Sequence, residues 1–519
     1  MVLSGPLLTQ PNPIGNLLAY GLVNKPNEPA LVSAKTSLTW RQLDDLSTRL
    51  ASQYLALGLQ SGDRVASLMP NRPALIIHYL ACLKVGLVAT PLNYRYMPPE
   101  IDHALAISGA SLLLYHAERD EDIAASGRGS QLPKGVIRYK ASDNEGLQYE
   151  ALISEPPANQ NFSKPTLDQP AFIYFTSGST GKPKGVTHTQ KTYGHMLASV
   201  IQSLEIDESS IFLPGASFSH IGGSVFGLST LAAGGQLVMA NESSADSILP
   251  LLKKFRPTIL WMLPTSLLNL ERDHNAKPED FASIKLCISG GDKVALYLEN
   301  EFFNKVGLSI NESYGMTEIG ITTINPLSGK NCIGSVGKLC AGYELSIRDE
   351  FGNEVPGGTL GRLWIRSPTN MIQYWQNLEA TQETIVNGWL DTGDMMRVDE
   401  TGYLWFGGRK KQIIIHDGSN ICPQEVEEAI GEHHSVELVG VIGIHDAVHA
   451  ENVRAYVTLK QGVKTPTCLE LILFARERIG YKAPEDIIIL DQMPLNTMGK
   501  VDRTALKQMA EKNQKKLEK

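Results

Sequence analysis

The stretch Tyr174 to Val186 (YFTSGSTGKPKGV) concentrates the side chains and backbone freedom that bind polyphosphate. Thr176, Ser177, Gly178, Ser179, Thr180, Gly181, Lys182, Pro183, Lys184 and Gly185 follow directly on the apolar run AFIYF. Glycines let a backbone turn tightly and approach a ligand with no Cβ in the way. Successive N–H groups and hydroxyls form a concavity for anions, and Lys184, with Lys182, adds positive charge. The stretch is not a Walker A loop, because Gly181-Lys182 is followed by Pro183 where that pattern needs Ser or Thr. A plain surface loop explains so dense a run of Ser, Thr, Gly and Lys poorly. Other chemistries lack their residues. There is no GxSxG elbow and no GxGxxG fingerprint. Cys82, Cys287, Cys332, Cys340, Cys422 and Cys468 form no CxxC pair and no zinc spacing, so free, mostly buried thiols are expected. His445 and His449 have the spacing of metal ligands on a helix, but no third ligand is near them in sequence.

A phosphate loop works only if elements hold it at the edge of a sheet. Arg64 to Met69, Leu87 to Pro91, Ser111 to Tyr115, Ala171 to Phe175, Gln236 to Met239 and Thr258 to Met262 read as strands. Helical stretches such as Pro73 to Val85 lie between them, and this alternation predicts parallel sheets covered by helices. From Ser335 to Arg366, Gly, Pro and short alternating runs point to a small antiparallel β-unit. Beyond Arg409 a helix from Pro423 to Ile430, strands at Val439 to Ile444 and Arg454 to Leu459, and a helix near Leu469 to Ile479 read as a small α+β domain.

Composition narrows the function. A chain of 519 residues is too long for one core and points to two to four units. With 42% hydrophobic and 20% charged residues it reads as globular rather than disordered. A net charge of −8 with no basic stripe argues against nucleic acid as a partner. The basic tail Lys512 to Lys519 reads as a solvated terminal helix or frayed end. The N-terminal residues lack the pattern of a secretory signal. The apolar region Ala74 to Leu92 is broken by His78, Lys84 and Pro91, so no transmembrane segment is expected and a cytoplasmic location is inferred.

The phosphate loop resembles that of the adenylate-forming superfamily, which includes acyl-CoA synthetases, peptide-synthetase adenylation domains and beetle luciferases. Four further motifs follow in the family's order. In Asn311 to Glu318 (NESYGMTE) the resemblance implies adenine stacking on Tyr314, α-phosphate contact by Thr317, and Mg²⁺ held by Glu318, whose hard carboxylate oxygen suits that ion. Outside this series Glu318 would read as a helix-start acid. In Trp389 to Asp394 (WLDTGD) it implies ribose binding by Asp394, although Asp-Thr-Gly-Asp is also good turn chemistry. Gly402 to Glu427 resembles the junction between the family's two domains, with Arg409 at the ribose and the hinge near Lys411. In Pro494 to Arg503 (PLNTMGKVDR), Lys500 would bridge the attacking carboxylate and the α-phosphate. Phe218 to Gly223 (FSHIGG) resembles the acyl-pocket motif, with His220 gating the adenylate; Ser219 stands where amino-acid-activating relatives place an aspartate. Ser289, Gly290, Gly291 and Asp292 resemble the wall between adenine and acyl group. Gly418 belongs to the nucleotide-binding set. Three positions depart from the family pattern: Gln412 replaces an acid, Asp417-Gly418 a Gly-Gly pair, and Ile415 the lysine of some branches. They bear on the second half-reaction rather than on adenylation. In the family's small domain the stretch around His445 and His449 is a structural turn.

The resemblance therefore implies an α/β fold: a large N-terminal domain of parallel-type sheets with helices and a small antiparallel β-unit (1–408), then a small mobile α+β cap (409–519). The implied enzyme is an AMP-forming acid-thiol ligase using ATP, Mg²⁺ and coenzyme A on a small-molecule carboxylic acid. The alternatives are an adenylating enzyme that loads a carrier protein or another acceptor, and a non-catalytic relative. The latter would be expected to lose Lys500, Glu318 or Lys184, and all three are present. The acyl pocket is expected from His220 to Gly227, Ser289 to Gly291 and Tyr314 to Ile321, whose mostly small and apolar residues favour an aryl or medium-length aliphatic acid.

Overall fold

The computed structural model describes residues 2–8, 10–142, 146–157, 162–176, 183–242, 244–264, 266–267, 270, 276–291, 294, 296–326, 331–416, 419–446, 449–496 and 499–517. Four sheets organise them. The first runs Gln373–Tyr374, Lys184–Thr189, Pro170–Thr176, Val88–Pro91, Arg64–Leu68, Leu112–His116, Val136–Tyr139, Leu147–Gln148. It is parallel except where Lys184–Thr189 turns back on Pro170–Thr176 and pairs with Gln373–Tyr374. The second runs Lys338–Leu339, Gly320–Ile324, Ile310–Met316, Leu286–Gly290, Ile259–Met262, Ile211–Gly215, Gln236–Met239, Pro29–Ser33, Ser37–Thr39. Its six central strands are parallel and its flanks antiparallel.

Helices between the two sheets share one core with both. Pro73–Val85 opens with Pro at its first turn and closes on Gly86, whose left-handed φ of 71° no Cβ opposes. Of its residues only Pro73 and Lys84 escape burial, and Lys84 leaves the core by pairing with Asp44 at 2.6 Å. A helix apolar all round must be buried on every side, and Ile221–Ala232, buried along most of its length, lies in the same cluster. Gln190–Ser203 begins with a capping box between Thr189 and Thr192.

The expected antiparallel unit at 335–366 is real but larger. Glu344–Arg348 and Gly361–Arg366 join Val2–Ser4, Trp389–Val398, Ile385–Val386 and Leu404–Arg409 in a six-stranded antiparallel sheet. The fourth sheet holds Ser419–Ile421, Ile414–His416, Ala450–Leu459, Val436–Asp446 and, parallel to Ala450–Leu459, Asp486–Ile489. Helices Pro423–Gly431, Cys468–Ile479 and Arg503–Leu517 cover it, so the chain is an α/β protein with a large N-terminal and a small C-terminal domain.

His445 lies in the strand Val436–Asp446, and His449 beyond it stacks on His416 at 5.1 Å, so the pair is not on a helix. Spacing of four residues fits a strand end and the turn that follows it as readily as a helical turn. Among the described residues no group of three or more His, Cys, Asp or Glu could hold a metal ion. The six cysteines form no disulfide, and three of them, Cys82, Cys287 and Cys340, are buried.

Candidate active site

Parallel strands present ligands at their carboxyl ends, where the side chains of successive loops converge. Here the strands Pro170–Thr176, Ile259–Met262, Leu286–Gly290 and Ile310–Met316 deliver Thr176, Leu263, Gly291 and Thr317-Glu318.

Glu318 is not at a helix start. It sits in the turn between Ile310–Met316 and Gly320–Ile324, with only 6% of its surface exposed. Burial pushes its carboxyl above the usual range; the Tyr374 hydrogen bond and the charges of Arg409 and Lys184 oppose that shift. The Tyr374 hydroxyl donates to Glu318 Oε1 at 2.9 Å, and the Lys184 ammonium lies 4.8 Å from the centre of the Tyr374 ring. Tyr374 can reach both because Gln373–Tyr374 pairs with the Lys184–Thr189 strand, whose first residue faces Thr176. Behind this group, buried His188 donates from Nε2 to the Thr317 carbonyl at 2.8 Å. Burial lowers His188 to about 4, so the ring is neutral at physiological pH and Nε2 carries its proton. Sequence reasoning missed Tyr374 and His188, since neither stands in a recognisable motif.

Asp394 and Tyr314 form the second group. WLDTGD is part of the strand Trp389–Val398 rather than a free turn; Gly393, at φ 72°, permits a register shift there that turns Asp394 inward. Asp394 is 1% exposed and accepts from the Tyr314 hydroxyl at 2.7 Å on Oδ2. Arg409 is its cross-strand partner, with Nε 3.1 Å from Oδ1 and a side chain 57% exposed. Among the described residues Oδ1 receives no aligned hydrogen bond despite this ion pair. Burial raises the Asp394 carboxyl, against the Arg409 charge. Phe406, another residue without a sequence signal, lies 6.3 Å from the Tyr314 ring at a tilt of 34°.

His220 precedes the helix Ile221–Ala232 as its N-cap residue. Burial, reinforced by the charges of Lys500 and Arg95, lowers it to about 4, so it is neutral at physiological pH. Gly290 packs its backbone on Ser313, where a Cβ would come within 2.7 Å of the Ser313 carbonyl. Gly291 follows at φ 85°, and Leu263 and Trp261 line the neighbouring strand end.

Lys500 closes the arrangement from the small domain. Its loop is folded by a Leu495–Val501 bridge, by Asn496 N donating to Lys500 O at 2.7 Å, and by Lys500 N donating to Asn496 Oδ1 at 3.1 Å. Lys500 Nζ donates to the Gly291 carbonyl. Its charge is felt at both His220 and Asp394.

The structure thus brings together Thr176, Lys184, His220, Gly290, Gly291, Tyr314, Thr317, Glu318, Asp394, Arg409 and Lys500. Ser177, Gly178, Ser179, Thr180, Gly181, Lys182, Asp292, Asp417 and Gly418 lie outside the described residues. Lys411 lies in the short 3-10 turn Lys410–Gln412, and Ile415 is half exposed.

Comparison with known proteins places the chain in a family. Residues 21–375 match the model of the AMP-binding enzyme family and residues 425–500 that of the AMP-binding enzyme C-terminal domain. A feruloyl-CoA synthase of Amycolatopsis sp is 32% identical over 92% of this chain and 94% of its own length. A long-chain-fatty-acid–CoA ligase of Yersinia pestis is 28% identical over 93% of this chain and 91% of its own. Among solved structures, ATP-bound MatB from Rhodopseudomonas palustris is 27% identical with a TM-score of 0.88, covering 95% of this chain and 98% of that one. The apo form of MatB reaches 0.79 at the same identity. With family models over most of its length and relatives matched nearly end to end, the chain belongs to the AMP-binding enzyme family, as an enzyme of its acyl-CoA ligase class.

Proposed function

We propose that the chain joins a carboxylic acid to AMP, releasing pyrophosphate, and then passes the acyl group to the thiol of coenzyme A. The observation that carries this reading is Lys500, a cation from the small domain brought to the Gly291 carbonyl beside His220. An ammonium there can hold the acid's carboxylate against the α-phosphate and stabilise the charge that spreads as the new P–O bond forms and the bond to pyrophosphate breaks. Neutral His220 adds no second positive charge at this point and leaves the acyl channel open to an uncharged tail.

Lys184 and the loop from Thr176 through Ser177, Gly178, Ser179, Thr180 and Gly181 receive the β- and γ-phosphates. Thr317 contacts the α-phosphate. Tyr314 stacks on adenine, with Gly290, Gly291 and Asp292 forming the wall between base and acyl group. The Asp394 Oδ1 atom, buried and lacking an aligned donor, suits a ribose hydroxyl, with Arg409 beside it. Glu318 fits Mg²⁺: it is a buried carboxylate whose desolvation a cation would offset. It is a single protein ligand, leaving the remaining positions to phosphate and water as that ion prefers. Bound there, Mg²⁺ would neutralise charge on the triphosphate.

The same atoms cannot serve thiol attack while Lys500 occupies the acyl side. We place the domain boundary after residue 408 and the hinge near Lys411, so that rotation of residues 409–519 withdraws Lys500 and admits the thiol. Gly418 would then contribute on the cap side. The better match to the ATP-bound form of MatB than to its apo form supports assigning the present arrangement to the adenylating state. The names of the relatives span an aromatic and a long-chain acid and so do not choose between aryl and aliphatic substrates.

Pyrophosphate release from ATP across a panel of carboxylic acids tests the reading. Release that requires an acid, followed by acyl-CoA on adding coenzyme A, is expected. Silence across the panel refutes adenylation, and acyl transfer only to an added carrier protein refutes the choice of acceptor.

A further inference from the structure

One buried donor beside the acyl-pocket motif meets no acceptor among the described residues. Trp261, in the strand Ile259–Met262, is 7% exposed, and among those residues its indole Nε1–H has no hydrogen-bond partner. Buried tryptophan N–H groups ordinarily find an acceptor, because an unmade bond costs the full desolvation of the donor. The direction of this one can be read from its surroundings. A methyl on Gly222 would touch the ring at Cζ2 and Cη2, at 3.4 and 3.5 Å. Cζ2 is bonded to Cε2, the carbon that carries Nε1, so the benzo edge next to the nitrogen faces the first turn of the helix Ile221–Ala232. Gly222 stands two residues beyond His220, and glycine there leaves the indole edge bare. Phe226, one turn further along, packs on the same ring with centroids 6.0 Å apart. The donor therefore lies beside the turn that follows His220, on the side of the site where the charge of Lys500 is felt.

We infer that Trp261 is a specificity-determining residue, and that the acid activated here carries a hydrogen-bond-accepting oxygen in its tail, as a hydroxyl, ether or carbonyl, which the indole N–H engages. This rests on the adenylation reading above and adds the chemical class of its substrate. An apolar pocket discriminates weakly between tails of similar size. A pocket with a buried donor rejects the tail that cannot pair it far more strongly.

The experiment uses the full-length enzyme and pairs of acids matched in length and volume, differing only in an oxygen against a methylene: an aryl acid bearing methoxy against ethyl, and an ether-containing alkanoic acid against its all-carbon counterpart. Pyrophosphate release gives kcat/KM for each. The wild type should prefer the oxygen-bearing member of at least one pair by about tenfold, and Trp261→Phe should bring that ratio close to one. Using the ratio removes any general loss from altered packing. Gly222→Ala, which places a methyl against the same ring edge, should also lower the ratio, and it serves if Trp261→Phe does not fold. No preference in any pair, or a preference that survives Trp261→Phe or, failing that, Gly222→Ala, overturns the inference while leaving adenylation intact. Absence of pyrophosphate with every acid overturns the adenylation reading, and this inference falls with it.

Discussion

Replacing Tyr374 with phenylalanine isolates one hydrogen bond at the centre of the site. The ring that lies beneath Lys184 is retained, as is the backbone pairing of Gln373–Tyr374 with Lys184–Thr189; only the donor to Glu318 Oε1 at 2.9 Å is lost. Glu318 is 6% exposed, so water replaces that donor poorly. A hydrogen bond to a charged group contributes about 1.5–3 kcal/mol, and its loss removes the largest of the influences that oppose the burial shift of this carboxyl. If the ionised Glu318 is needed only for adenylation, kcat/KM for pyrophosphate release should fall roughly 10- to 100-fold. Acyl transfer to coenzyme A from supplied acyl-adenylate should stay within about twofold of wild type. Calorimetric titration with ATP, with and without Mg²⁺, gives a readout independent of turnover: the gain in affinity produced by Mg²⁺ should shrink in the variant. Tyr374→Ala, which also removes the ring beneath Lys184, should be the more severe. Equal loss in both half-reactions, or wild-type adenylation in Tyr374→Phe, would refute the reasoning.

Three other perturbations test different links. Lys500→Ala should slow adenylation by about 10²- to 10³-fold while sparing transfer from supplied acyl-adenylate; losses of similar size in both halves would exclude the role given to Lys500. Gly408 has φ 99° and a Cβ there would lie 2.7 Å from Cys422 Sγ, so Gly408→Ala should cost about 1–3 kcal/mol, and an unchanged denaturant midpoint would contradict this. His78, fully buried beside Tyr54, is lowered from 6.5 to about 3 by burial. Between those values the unfolded chain holds a proton that the folded chain lacks, so stability is full above about pH 6.5 and falls by about 1.4 kcal/mol per unit as pH drops towards 3. His78→Gln should show a shallower fall between pH 6.5 and 4 by urea unfolding, and an equal slope would remove His78 as the cause.

Local pattern was enough for the strands named from it. AFIYF followed by a Gly-rich run, or Pro73 to Val85 ending at a glycine, carries its own signal in apolar period and end residues. Motif order did the same for Glu318, Asp394 and Lys500, which the fold brings together from widely separated segments. The misses have a common cause: the decisive partner is remote. Tyr374 has meaning only through Glu318 and Lys184, and it stands in a two-residue edge strand with no periodicity to read. Trp261 sits in an apolar run where a tryptophan reads as core, and its unmet N–H emerges only once Gly222 is seen beside it. The helix-like spacing of His445 and His449 carries no helix, because a spacing of four does not distinguish a helix from a strand that turns. Asp394 fits a turn by composition, yet the register shift at Gly393 places it inside a sheet.

The distribution of buried apolar residues bears on how one site could serve two reactions. Among the described residues, the three clusters of the large domain contain no residue beyond Phe406, and the two of the small domain none before Ile414. No apolar cluster spans the segment 407–413. Across the site, the small domain is tied instead by a polar contact, Lys500 to the Gly291 carbonyl, and the Arg409 side chain next to the hinge is more than half exposed. Breaking such contacts exchanges protein partners for water at a net cost of about 0.5–1.5 kcal/mol each, whereas parting a shared apolar core would expose its whole area. Rotation about Lys411 would therefore leave both cores intact, and the balance between its two positions could be set by the charge of the ligands. Triphosphate, the more anionic ligand, would favour the position that brings Lys500 in. Once pyrophosphate leaves, the adenylate, a mixed anhydride with a single phosphate charge, would hold Lys500 less strongly, which would free the acyl side at the step where the thiol enters.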